Sequence, residues 1–239
     1  MIKLVDVHKN FGGQKVLNGI NLQIRKGEIT VIIGTSGVGK SVLLKHMIGL
    51  LRPDRGKVFI AGVDLGTLSS PALVEMRKKF GMLFQGAALF DSLTVFENVA
   101  FPLVEHSNLT VEKIRERVME KLDLVGLHDV DKKMPSELSG GMKKRVGLAR
   151  AIILEPEVIL YDEPTTGLDP IMTDSVDNLI LAMQQRLKIT SVVISHDIKS
   201  TFDIADQIAM MHEGKIIEAG APEIFRASKN PVVAKFIGT

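Results

Sequence analysis

Residues Gly34-Thr35-Ser36-Gly37-Val38-Gly39-Lys40-Ser41 have the spacing of a phosphate-binding loop, two glycines five residues apart followed by lysine and serine. Glycines let such a loop wrap so that backbone N–H groups converge on phosphate oxygens, the lysine reaches the β- and γ-phosphates, and the serine hydroxyl serves Mg2+. The helix expected to follow adds the partial positive charge of its N-terminus. The pattern arises by chance in roughly 1% of chains this long. Here the apolar run Ile29 to Ile33 precedes it and a helix-like Val42 to Ile48 follows it, the setting the chemistry needs. Phosphate chemistry is the first expectation.

A second chemical group closes the apolar run Val158 to Tyr161, which ends in Asp162-Glu163. Two adjacent carboxylates repel, so the end of a buried strand gives them little structural use. Asp162 suits a Mg2+ shell, and Glu163 suits polarising the water that attacks a γ-phosphate. Other positions gain meaning only in this company. Gln85 follows the apolar Phe80 to Phe84, at the strand end that faces the ligand crevice of an open α/β sheet; alone it reads as a loop glutamine. Ser139-Gly140-Gly141, after Leu138 and before a helix, dresses a second helix start for an anion; alone it reads as a simple cap. His196 ends a third apolar run, Thr190 to Ile194, and a lone histidine there is more often structural. Phe11, at a hairpin turn, could stack on a base or plug the core.

These residues need a scaffold, and periodicity supplies one. Ile2 to Asn10 and Val16 to Ile24 alternate around Gly12-Gly13 as an antiparallel hairpin, and Lys26-Gly27-Glu28 turns into the loop-bearing strand. Lys57 to Ile60 is a short strand before a turn at Gly62-Val63-Asp64. Ser70-Pro71 starts a helix with serine as cap and proline at the first position. From Gln85 to about Gly126 the pattern is helical: Thr110 is a cap, and Val111, Ile114, Val118, Leu122 and Val125 recur at three and four. Lys143 to Leu154 is a helix, Asp169-Pro170 caps a longer one, Ile208 to Ile217 is a last hairpin, and Pro222 to Phe225 and Val232 to Ile237 are short terminal helices. The expected fold class is α/β. Residues 1–84 and 155–239 form its core, with the antiparallel part at the N-terminus, and about 86–154 form a helical insert.

Composition sets the outer bounds. With 239 residues and 45% apolar content, the chain can fill one large core, so disorder is not expected. The net charge is only +2, and the longest basic run, Lys143-Lys144-Arg145, reads as a solvated helix face, so no nucleic-acid partner is expected. Cysteine is absent, which excludes disulfides and thiolate metal sites. The N-terminus has no signal pattern, and no apolar stretch reaches the roughly 18 residues of a membrane span. The expectation is a cytoplasmic protein whose membrane role, if any, comes through a partner.

The order P-loop, Gln85, Leu138-Ser139-Gly140-Gly141, Asp162-Glu163, Asp169, His196 resembles the ATP-binding cassette (ABC) transporter ATPases over nearly the whole chain. The resemblance implies a P-loop NTPase fold, a RecA-like core with an antiparallel β subdomain and an inserted helical subdomain. It implies ATP and Mg2+ as cofactors and the P-loop through Val42 as their cradle. Phe11 would stack on the base, Gln85 would link Mg2+ and the water to the helical subdomain, and Ser139, Gly140 and Gly141 would be the signature. Glu163 would be the general base, Asp169 the D-loop aspartate and His196 the switch histidine. The signature would serve the nucleotide of the other subunit, so the resemblance also implies a head-to-tail homodimer with two composite sites. Within the family, the text from Leu83 to Leu103, the signature with Met142 and the run Tyr161 to Pro170 are similar to the MlaF-like ATPases of Mla/Mce lipid transport. That branch implies transmembrane permease subunits, an Mce-domain lipid-binding protein, and a peripheral place on the cytoplasmic side of the inner membrane.

Two residues depart from the wider family pattern. Met142 cannot hydrogen-bond as the usual glutamine does, but the phosphate contact would come from Ser139 and backbone N–H groups. Val42 replaces a threonine and removes one hydroxyl near the phosphates, which would weaken nucleotide affinity. Three other functions compete. The ATPase of a polar-solute importer is opposed by the text from Gln85 to Leu103. A translation or repair ATPase would carry two cassettes or a long coiled coil. A non-catalytic nucleotide module would have lost Glu163 or His196.

Overall fold

The computed structural model describes residues 1–238. The first half of the order is β1 (Ile2–Phe11), β2 (Gln14–Ile24), β3 (Ile29–Ile33), α1 (Lys40–Met47), β4 (Arg55–Ile60), β5 (Val63–Asp64), α2 (Ser70–Arg77), β6 (Phe80–Leu83), α3 (Val95–His106) and α4 (Val111–Leu124). The rest is α5 (Gly140–Ile152), β7 (Val158–Asp162), α6 (Pro170–Leu187), β8 (Thr190–Ile194), α7 (Ile198–Ile204), β9 (Gln207–His212), β10 (Lys215–Gly220), α8 (Pro222–Arg226) and α9 (Pro231–Ile237). The strands form a four-stranded antiparallel sheet, β2-β1-β4-β5, and a six-stranded sheet, β10-β9-β3-β8-β7-β6. In the larger sheet β9, β3, β8, β7 and β6 run parallel, and β10 joins antiparallel at the edge.

The central strands are apolar without alternation because both faces of the parallel sheet are covered. The period of two survives in where each side chain goes. Ile29, Val31 and Ile33 of β3, with Ile159 and Tyr161 of β7, join a core shared with α3, α4, α5 and α6. Ile32, Val158, Leu160, Val192 and Ile194 point the other way, into a core shared with α1 and the antiparallel sheet. The P-loop helix is thereby wedged between the two sheets.

Several local expectations are corrected. Ser69, not Ser70, caps α2, its hydroxyl accepting from the Ala72 N–H, which puts Pro71 one position further in. The turn expected at residues 62–64 lies at Ala61-Gly62, both with positive φ, and Val63-Asp64 pair with β4 as a tight hairpin. Strand β6 stops at Leu83; it lies at the sheet edge, and Phe84 is exposed. Helix α5 starts at Gly140, three residues early, because Ser139 caps it. Helix α7, begun by the Asp197 cap, is only seven residues long, too short for periodicity to reveal. The run Lys143-Lys144-Arg145 is not a solvated face: Lys144 is buried, and Arg145 donates to the Val125 carbonyl and the Ser175 hydroxyl.

Candidate active site

Strand order places the candidate residues. β3, β8, β7 and β6 are consecutive neighbours, so the segments that leave their C-terminal ends lie along one edge: the P-loop, His196, Asp162-Glu163 and Gln85. The register fixes the alignment, with Ile32 beside Ile194, Ile194 beside Asp162, and Tyr161 beside Leu83.

The P-loop needs glycine at two positions for clear reasons. A Cβ on Gly34 (φ 147°) would fall 2.2 Å from the Met211 carbonyl oxygen, and one on Gly39 (φ 101°) would fall 2.9 Å from Val16 Cγ1. Between them Thr35, Ser36 and Gly37 are exposed and Val38 is half-buried. Among the described residues, no backbone N–H of residues 35–39 donates to a protein acceptor, which leaves a row of donors for an anion. Lys40 is 6% exposed and donates to the Gly34 and Thr35 carbonyls at 2.7 and 2.9 Å. Burial pushes its ammonium below the usual lysine range, while the Glu163 and Asp162 carboxylates hold it up. Val42 packs its side chain against the core of the antiparallel sheet, leaving its backbone alone to meet a ligand.

Across the crevice, the Ser41 hydroxyl donates to Asp162 at 3.1 Å. Burial pushes the Asp162 carboxyl up, the Ser41 bond lowers it, and the neighbouring Glu163 raises it again. Among the described residues no cation pairs with Asp162, and no three His, Cys, Asp or Glu side chains gather as a metal site. A hydroxyl and an underneutralised carboxylate fit Mg2+, which takes one or two protein oxygens and completes its shell with phosphates and water. Glu163 sits at φ 51°, a left-handed turn that takes the chain off the strand. Its carboxylate accepts from the Thr166 hydroxyl at 3.0 Å and lies 3.7 Å from His196 Nδ1.

The remaining candidates divide. Gln85 is exposed, and its main-chain carbonyl accepts from the buried Lys144. Phe11 is 44% exposed, so it does not plug the core, and Lys9 lies 5.5 Å above its ring. Asp169 and Ser139 are helix caps, accepting from Met172 at 3.0 Å and Met142 at 3.3 Å. Gly140 is exposed and Gly141 packs close to Met172. Met142 is partly buried against the helical core, as its apolar side chain requires. No hydrogen bond among the described residues joins Ser139 to the P-loop. Sequence reasoning missed Thr166, Lys144 and Arg150, the last donating to the Ala87 carbonyl at 2.7 Å. The signal for Thr166 was its place three residues after Glu163; for the two cations it was their position on the apolar face of α5 around Gly147.

The family described as ABC transporter matches residues 17–166. The chain is 42% identical over 236 residues to the probable ribonucleotide transport ATP-binding protein mkl of Mycobacterium leprae, covering 99% of this chain and 68% of that one. It is 44% identical over 226 residues to the intermembrane phospholipid transport system ATP-binding protein MlaF of Haemophilus influenzae, covering 95% of this chain and 86% of that one. Among solved structures it is similar to the ATP-binding cassette MJ0796, a dimer in a post-hydrolysis state bound to ADP and Pi, with TM-score 0.84 and 32% identity over 92% of this chain and 98% of that one.

Proposed function

The chain belongs to the ABC transporter family and is an ATPase, and from that premise we propose that it powers phospholipid transport of the Mla/Mce type through permease partners. The observation that supports catalysis in this chain is the convergence of Lys40, Ser41, Asp162, Glu163 and His196 on one crevice. Lys40 and the free N–H groups of the P-loop bind the triphosphate. Glu163, steadied by Thr166 and close to His196, takes the proton of the attacking water. Ser41, Asp162 and Gln85 would hold Mg2+, which would supply charge neutralisation for the bound triphosphate. Phe11, exposed beside Lys9, stacks on the base. The Ser139, Gly140 and Gly141 signature acts on the nucleotide of a second subunit, with Asp169 between the sites, in a head-to-tail homodimer. The working division is a core of 1–84 and 155–239 and a helical subdomain of about 86–154.

Lipid as cargo is supported by the MlaF relative, which this chain covers over 86% of its length. The permease surface is a groove of about 590 Å3 lined by Phe84, Phe90, Phe101, Pro102 and Arg150, with three exposed phenylalanines gathered on one face. No helix among the described residues is long and apolar enough to cross a membrane, so this groove would hold the chain peripherally at the cytoplasmic side of the inner membrane. The test is affinity purification of the tagged chain from solubilised membranes. A permease accompanied by an Mce-domain protein supports the reading; a permease accompanied by a binding protein for a polar solute overturns it.

A further inference from the structure

We propose that Lys144 is a positioning residue for ATP hydrolysis: it pins the main chain at Gln85 and so ties the Gln85 side chain to the helix that begins after Ser139. The inference rests on the ATPase reading. Helix α5 meets β6 and the loop after it at backbone distance. A Cβ on Gly81 would lie 2.3 Å from the Ala151 carbonyl oxygen, and one on Gly147 would lie 2.9 Å from Leu83 Cδ1 and 3.1 Å from the Ala87 Cβ. The loop itself is strained, with Ala87 at φ 60° and Ala88 at φ 46°, left-handed values that non-glycine residues hold only when their surroundings impose them. Two cations of α5 hold the main chain of this loop. Lys144 donates to the Gln85 carbonyl and Arg150 to the Ala87 carbonyl at 2.7 Å.

The two clamps differ in what else they touch. Arg150 also reaches Asn98 and lies over the Phe90 ring, so it belongs to the framework of residues 87–98. Lys144 is 6% exposed, with one main-chain acceptor among the described residues for its three donors. Burial lowers its pKa and the Glu163 carboxylate raises it, so the charge lies within the field of the proposed base. A buried ammonium whose hydrogen bonding among the described residues is to one neutral carbonyl is costly, and an apolar side chain of similar length would fill the space without that cost. The charge is explained by what it holds: any movement of α5 carries Gln85 with it, on the side of the site where the water is oriented.

The test is steady-state ATPase activity of the full chain, with ATP affinity and thermal melting measured in parallel, for wild type, Lys144→Met, Lys144→Gln, Lys144→Arg, Gln85→Ala and the double variant Gln85→Ala/Lys144→Met. Loss of a group that orients a ligand-bearing residue typically costs activity by about tenfold or more, and about tenfold in kcat is expected for Lys144→Met. ATP affinity should stay within about twofold, because the P-loop is untouched. Lys144→Arg should recover most of the rate. Lys144→Gln, which keeps a donor without the charge, should fall between and carries the test if Lys144→Met does not fold. The double variant should be no slower than Gln85→Ala alone, since both changes act through one group. Wild-type kcat in Lys144→Met, an equal loss of ATP affinity, or losses that multiply in the double variant would overturn the inference. A wild-type chain that does not hydrolyse ATP would instead overturn the functional reading beneath it.

Discussion

Replacing Asp177 with asparagine should stabilise the protein by about 3 kcal/mol at pH 7.5 and by about half of that at pH 5. Asp177 lies on α6, the helix that begins after Asp169, and is 5% exposed. It accepts a hydrogen bond of 2.8 Å from the Ser200 hydroxyl on α7, the helix just beyond His196. Burial pushes its carboxyl up from 3.8 to about 6; the Ser200 bond opposes this, and Asp197, Asp174 and Asp203 reinforce it. Lys199 gives no relief, since its ammonium is engaged by Asp174 at 2.7 Å and Asp203 at 3.2 Å. Well below about pH 4 the carboxyl is protonated in both the folded and the unfolded chain and costs nothing. As pH rises the unfolded chain releases its proton first, so stability falls, and nearly the whole penalty is present above about pH 6. A difference between 3.8 and about 6, at roughly 1.4 kcal/mol per pH unit, amounts to about 3 kcal/mol at pH 7.5 and about half of that at pH 5. Asparagine keeps an oxygen for Ser200 and removes the charge. Urea unfolding of wild type and Asp177→Asn at both pH values is the assay, and the advantage of the variant should roughly double from the lower pH to the higher. An advantage independent of pH, or a variant less stable than wild type at pH 7.5, would refute the reasoning.

The catalytic crevice and the signature give three further expected outcomes. Lys40→Ala should abolish hydrolysis and strongly weaken ATP binding while the protein still folds, and ordinary turnover by the purified variant would remove the P-loop assignment. Glu163→Gln should bind ATP but lose turnover, by about 100-fold or more, because an amide cannot accept the proton of the water. Sizing chromatography in Mg-ATP should show it more dimeric than wild type, and turnover at the wild-type rate would exclude Glu163 as the base. Ser139→Arg should inactivate the homodimer by blocking both composite sites, while each subunit still binds ATP. Mixed with Lys40→Ala it should regain activity that neither variant shows alone, because one composite site in such a heterodimer is intact; hydrolysis by Ser139→Arg alone at the wild-type rate would rule out a signature acting across subunits.

What the sequence determined by itself is local chemistry and local periodicity. The glycines at 34 and 39, the lysine between a buried strand and a helix, and the acid pair closing Val158 to Tyr161 are visible because each depends on near neighbours. Thr110 and Asp169 are readable as caps for the same reason, their side chains bonding N–H groups three residues on. Where two neighbours competed for a role, the backbone decided, as when Ser69 rather than Ser70 capped α2. The tertiary structure alone decided which distant residues meet. Nothing local says that β8 lies between β3 and β7, yet that order lines up the P-loop, Asp162-Glu163 and His196 along one edge. Nor does local pattern say that a lysine in a basic run is buried. Lys144 looks solvated in sequence because Lys143 and Arg145 flank it, and it is buried because Gly81 and Gly147 let α5 lie against β6 at backbone distance. Propensity and periodicity act within a turn or two of the chain, whereas strand order and burial are set by which surfaces exclude water together, and that is a property of the whole fold.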